Sequence, residues 1–194
     1  PGRNHDYTQK FGSEKIMTNT PAITMDDKAA ILLEEARAAH ENYLIKQQDA
    51  DLEKAIEYYI DAIKVNPSIS ESYYRLASLL LMKGQISIEG ALEQCHTALT
   101  LEPNNVNAHI YSGYFQCLNG NFEEAEKEFK LAVSNSGKNS ARPRLFLSKV
   151  LFSRIKNHDS SVKDVMKFLY YFLSGSMMIM WDCPSLKMFC KFLA

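Results

Sequence analysis

Small residues recur along this chain at a nearly fixed interval. Ala55, Ala91 and Ala125 are separated by 36 and 34 residues, and the same two steps separate Ala62, Ala98 and Ala132, as well as Pro67, Pro103 and Gly137. The phrases around them are alike. Asp51-Leu52-Glu53-Lys54-Ala55-Ile56-Glu57-Tyr58-Tyr59 returns as Asn121-Phe122-Glu123-Glu124-Ala125-Glu126-Lys127-Glu128-Phe129, with a looser copy from Glu89 to Cys95. Self-similarity at such a period marks a stack of supersecondary units rather than a single core. Two helices cross closely only where a small side chain sits at the contact, because a large one holds the axes apart and leaves voids. The chain is therefore expected to be all-α, a solenoid of helix-turn-helix repeats. Ala77 and Gly113 are expected at the contact within a pair, and Ala91, Ala98, Ala125 and Ala132 between consecutive helices.

With 194 residues, 46% hydrophobic and 23% charged, the composition is that of an ordinary globular chain. A net charge of −1 gives no overall pull toward nucleic acid or membrane, but the charge is unevenly placed. Residues 1–140 carry 13 Lys/Arg against 20 Asp/Glu, and residues 141–194 carry 9 against 3. Such asymmetry either marks a binding surface or draws the two halves of a solenoid together. Cys95, Cys117, Cys183 and Cys190 form no C-x-x-C pair and read as free thiols in a reducing compartment, hence a cytoplasmic location. Residues 1–24 are polar and aperiodic and read as a disordered or extended lead without the apolar segment of a signal peptide. Met17 and Met25 read as more natural beginnings than Pro1. The far end stops inside an apolar helical pattern and reads as a fragment of something longer.

Apolar periodicity places the helices. Leu32, Ala36, Ala39 and Tyr43 make one stripe of a first helix, opened by Asp26 and Asp27 and running to about Gln48. A second starts near Asp51 and stops at Asn66-Pro67. Ser68-x-x-Glu71 reads as a capping box for the next helix, Gly84 as its end, and Ser87 as the cap of its partner. Asn104-Asn105 opens a third pair, and Asn121-x-x-Glu124 resembles another capping box. Pro143 fits a first helical turn. Ser161-x-x-Asp164 opens a helix expected to turn Val165, Phe168, Leu169 and Phe172 inward. The units are then a lead at 1–24, repeats at 26–67, 68–103 and 104–137, a degenerate repeat at 141–173, and a capping helix or the start of a fifth repeat at 182–194.

This arrangement closely resembles the tetratricopeptide repeat (TPR) family. Ala55, Tyr59, Ala62 and Pro67 carry the resemblance in the first unit, Leu76, Ala77, Ala98 and Pro103 in the second, and Gly113, Gly120, Ala125, Phe129 and Ala132 in the third. The family's usual Trp position holds Tyr73 and His109. The second unit carries a two-residue insertion around Ile86-Ser87, and the fourth an insertion near residues 156–160. The resemblance implies a right-handed superhelix whose first helices line a concave groove for an extended peptide or a partner helix. Carried over position by position, the groove presents Glu71, Tyr74, Ser78, Leu81 and Met82, then Asn107, Ile110, Tyr114, Cys117 and Leu118, then Arg142, Leu145, Lys149 and Phe152. Aromatic and Met side chains suit such a surface. The alternative is that several of them pack against the C-terminal helix. A subclass of the family grips C-terminal carboxylates of chaperones with Lys, Asn and Arg. That clamp looks absent: Asn107 and Tyr111 stand where Lys and Arg belong, and Arg75 where Asn belongs.

Catalysis finds no support in the residues. His5, His40, His96, His109 and His158 are scattered, with no H-E-x-x-H pair, phosphate loop or nucleophile elbow. His109 reads as a packing residue, and Glu123, Glu124, Glu126 and Glu128 as a solvated helix face. No enzyme activity, metal or cofactor is expected. The uncharged run 168–181 is interrupted by Ser174-Gly175-Ser176 and is short of the roughly 20 apolar residues that span a bilayer. It reads as a terminal repeat with apolar surface to spare. The expected function is a non-enzymatic protein-interaction scaffold holding a protein or peptide partner, not nucleic acid, in the groove. One alternative is an assembly chaperone or self-associating subunit using the apolar C-terminal region. Another is the regulatory arm of a larger enzyme continuing after residue 194.

Overall fold

The computed structural model describes residues 24–137, 140–156 and 162–179. Among the described residues eight helices follow one another: α1 (Met25–Lys46), α2 (Asp49–Val65), α3 (Ser70–Met82), α4 (Ile88–Leu101), α5 (Val106–Leu118), α6 (Phe122–Asn135), α7 (Ala141–Lys156) and α8 (Val162–Ile179). The expected lead up to residue 23, the expected terminal helix at 182–194, Ser161 and the last two residues of the uncharged run lie outside the described residues. None of the described helices is long and apolar enough to cross a membrane.

The helices pack as hairpins, α1 on α2, α3 on α4, α5 on α6 and α7 on α8. Successive hairpins meet through α2–α3, α4–α5 and α6–α7, and first helices also touch directly, α3 with α5 and α5 with α7. The result is a right-handed α-solenoid. No hairpin has a core of its own. Leu76 and Leu79 of α3 join the cluster of α1 and α2, Ala108 and Phe115 of α5 join that of α3 and α4, and Leu147, Val150 and Leu151 of α7 join that of α5 and α6. Each repeat completes its core with residues of the next.

The recurring small residues sit inside these contacts: Ala55, Ala62, Ala77, Ala91, Ala98, Ala125 and Ala132 are fully buried. Gly113 shows why size matters there. A Cβ at this position would lie 2.8 Å from the ring of Phe129, so α5 and α6 approach as they do only because it is missing. The α7–α8 hairpin reverses the arrangement: the glycine, Gly175, is on the second helix, and a Cβ on it would meet Leu145 at 2.9 Å.

Local chemistry sets the helix ends. Thr24 and Asp27 form a reciprocal capping box on α1. Ser87 and Asn105 cap α4 and α5 by accepting from the amides of Gly90 and Ala108. Gln47 takes a left-handed backbone (φ 56°), so the chain reverses at once and α2 begins at Asp49 rather than near Asp51. The α3–α4 turn spans 83–87 where the α5–α6 turn spans 119–121, which is the two-residue insertion. Two expected capping boxes do not form. The residue before α3 is Ile69, with no side-chain cap. Asn66 accepts from the Ser68 amide, and Glu71 is held by arginines instead. Asn121 donates its side-chain amide to Gln116 rather than capping α6, and Glu124 pairs with Lys127.

The inward face of α8 also differs from expectation. Phe168 and Tyr171 pack on the α5–α7 core, Phe172 stacks on Phe168, and Gly175 is buried, whereas Val165 and Leu169 are 37% and 41% exposed. The fit of Gly175 against Leu145 sets the rotation of the helix and turns Val165 and Leu169 outward.

Candidate interaction surface

α3 touches α5 and α5 touches α7, so the side chains that these first helices leave exposed form a strip, which α1 joins through one ion pair and at whose α7 end Leu145 and Phe152 pack on α8. Arg37 of α1 reaches Glu71 of α3. Tyr74 of α3 stacks on Tyr111 of α5, ring centroids 5.1 Å apart. Cys117 of α5 and Lys149 of α7 line a cleft of about 100 Å³ floored by Phe122 and Phe129 of α6.

Within this strip Ser78, Leu81, Asn107, Tyr114, Cys117 and Lys149 are partly exposed. Met82, Leu118 and Phe152, near the ends of α3, α5 and α7, are exposed. Tyr74 and Ile110 are not surface groups. They are 1% and 4% exposed and belong to the cores beneath the strip, while the buried Leu145 packs against Gly175 of α8. Tyr74 is covered by Tyr111, and Ile110 lies among Phe129, Leu147 and Leu151. Both form the floor on which the exposed groups stand. Burial pushes the Tyr74 phenol up to about 12, Glu71 adding to the shift, while Arg75 and a hydrogen bond with Asn107 oppose it.

Burial pushes the Cys117 thiol up to about 11 and that of Cys95 to about 12, so neither is an activated nucleophile at neutral pH. Burial likewise holds the Lys149 ammonium below the usual lysine range, with Cys117 opposing. Among the described residues no group of three or more His, Cys, Asp or Glu side chains is placed to hold a metal ion.

The most structured polar group lies at the α1–α3 end. Glu71 receives Arg37 Nε at 2.9 Å, a second bond from Arg37 Nη2, and an ion pair from Arg75 one turn along its own helix. Glu34 pairs with the other side of Arg37. Burial pushes the Glu71 carboxyl up, but the Arg37 hydrogen bond and the two guanidinium charges outweigh it and leave the group below the ordinary carboxylate range. Nothing in the sequence pattern marked this cluster, because its members come from different repeats.

A second polar feature follows the repeat. Tyr73 and His109 stand at equivalent places, and each bonds the carbonyl of the proline six residues earlier: Tyr73 donates its hydroxyl to Pro67 at 2.9 Å, and His109 Nε2 lies 3.0 Å from the Pro103 oxygen. The other nitrogen of His109 lies 2.8 Å from Glu128. With an acceptor at each nitrogen the imidazolium is favoured: the Glu128 bond raises its pKa, burial opposes, and the Pro103 carbonyl adds to the rise. The expected solvated acidic face of α6 therefore shrinks, since Glu128 serves His109 and Glu126 is buried and paired with Lys130.

No family model matches the sequence. Similar solved structures include the crystal structure of MamA, 14% identical with a TM-score of 0.57 over 82% of each chain. They also include the Sgt2 TPR domain from Aspergillus fumigatus, 18% identical with a TM-score of 0.55, covering 69% of this chain and 85% of that one. The fold is that of a tetratricopeptide repeat domain. A third likeness is to the first TPR of Spaghetti (RPAP3), solved bound to the HSP90 peptide SRMEEVD: 19% identical, TM-score 0.54, covering 65% of this chain and 94% of that one. In this TPR fold Tyr73 and His109 fill the place of the usual Trp, and each bonds the carbonyl of the preceding proline.

Proposed function

We propose that this TPR chain is a non-enzymatic interaction scaffold whose guest, an extended peptide or a partner helix, lies along α3, α5 and α7. The observation that carries the reading is that Met82 and Leu118 are exposed at the ends of α3 and α5, which touch directly, while on α7 Phe152 stays half-exposed although its ring rests on Phe168 of α8, 5.5 Å away. Scattered apolar side chains on a surface are ordinary, but exposed apolar groups repeated on neighbouring first helices and flanked by polar ones suit a contact surface. Ser78, Asn107 and Tyr114 supply hydrogen bonds along the strip, Leu81 and Cys117 extend it, and Lys149 provides a cation at the α7 end. A polypeptide suits this mixture better than a nucleic acid, whose phosphates call for a basic stripe. The free thiols of Cys95 and Cys117 agree with a cytoplasmic setting. A pull-down comparing the wild type with Tyr114→Ala and Leu118→Asp tests the reading, with Leu131→Asp on α6 as the control. Guests should be lost from the first two variants and kept by the control; equal retention by all four proteins contradicts it.

The outer face of α8 favours a second reading. Val165, Met166, Leu169, Tyr170 and Leu173 recur at helical spacing and are all exposed, a stripe fit to hold a partner subunit or a second copy of the chain. Light scattering separates the two readings. An assembly that Leu169→Asp/Leu173→Asp dissolves supports the second, and a strict monomer removes self-association.

A further inference from the structure

The cluster at the α1–α3 end combines two guanidinium groups with two carboxylates, so it is electrically self-contained although it lies on the proposed guest-binding strip. Glu71 is the pivot. It accepts from Arg37 across the repeat boundary and pairs with Arg75 on its own helix, and its side chain is only 18% exposed. Its carboxylate thus stands where a guest's carboxylate would have to stand to reach either arginine. An acidic guest must displace it. The tethered group competes at an effective concentration on the order of millimolar or above. Its removal from the arginines would also leave a half-buried carboxylate without partners.

We propose that Glu71 is a specificity-determining residue of the strip, a built-in carboxylate that withholds Arg37 and Arg75 from acidic guests and restricts this end to neutral, apolar or hydrogen-bonding segments. The inference rests on the reading of α3, α5 and α7 as a guest-binding strip and adds to it the chemical class that the strip accepts. Glu71→Gln keeps the shape of the side chain and removes its charge. The cluster then carries two guanidinium groups against Glu34 alone, and an acidic guest gains a place to bind.

The test selects a random heptapeptide library on the wild type and on Glu71→Gln, then measures the chosen peptides by fluorescence anisotropy with Asp and Glu replaced by Asn and Gln. Wild-type selections should be poor in acidic residues, and Glu71→Gln selections rich in them. Neutralising those residues should weaken binding to Glu71→Gln about tenfold or more, the size expected of one charge-assisted hydrogen bond. Melting by circular dichroism checks that the variant is folded. The paired variant Arg37→Gln/Glu71→Gln restores charge balance and should return to the wild-type preference. Equal acidic content in both selections, or an acidic preference kept by the paired variant, overturns the role of Glu71 while leaving the strip in place. Peptides enriched on Glu71→Gln alone would support Glu71 as a block and count against neutral guests for the wild type. No enrichment on either protein overturns both proposals.

Discussion

At Gly113 the absence of one methyl group decides how closely α5 and α6 approach, since Phe129 occupies the space that a Cβ would need. Gly113→Leu should destabilise the chain by about 1–3 kcal/mol through overpacking, read as a lower melting midpoint. Two buried histidines respond to pH with opposite sign. His109 has its pKa raised in the fold, so its contribution is complete below the ordinary histidine value of about 6.5 and fades as pH rises through the folded value. His109→Gln should therefore cost about 1–2 kcal/mol at pH 5.5 and less at pH 9 in paired urea titrations. His40 is the reverse. Burial, with Arg75 adding, lowers its pKa to about 4, and its Nδ1 has no hydrogen-bond partner among the described residues. The unfolded chain takes up the proton first, so stability should fall by up to ~3 kcal/mol as pH drops from about 6.5 toward 4. His40→Leu should flatten that acid limb. Residue by residue, the small contact positions were legible because size at a helix crossing leaves a periodic trace. The pairing of Glu71 with Arg37 was not, because it joins two repeats, nor that of His109 with Glu128, because it occurs in one repeat alone.

Among the elements, helix starts divide according to what competes for the capping side chain. Ser87 meets no rival and caps α4, so Ser87→Ala should cost about 1 kcal/mol. Ser68→Ala should be near neutral, because Ile69, not Ser68, precedes α3 and Asn66 already holds the Ser68 amide. The contrast in melting midpoint between these two alanine variants checks the assignment. The same logic explains α8. Its apolar residues are too many to name one face from sequence, and the choice is made by Gly175 fitting against Leu145 of α7, a contact no periodicity of α8 alone reveals. Exposed Met166, Tyr170 and Leu173 follow from that rotation.

For the molecule as a whole, cores shared between neighbouring repeats mean that stability and shape propagate along the stack, and the proposed guest would meet the side chains left exposed on the first helices. The solenoid was readable from the spacing of alanines and prolines alone. The candidate surface was readable only in part: matching positions identified the strip, but Tyr74 and Ile110 turned out to lie beneath it, because the closeness of α3 to α5 and of α5 to α7 depends on side chains in three repeats at once. The central claim is that the first helices form the surface that meets a guest. Photo-crosslinking addresses it most directly, using a library-selected peptide that carries a benzophenone and mapping the adducts by mass spectrometry. Adducts on α3, α5 and α7 around Ser78–Met82, Tyr114–Leu118 and Lys149–Phe152 are the predicted result; adducts confined to α4, α6 or the outer face of α8 would contradict the account.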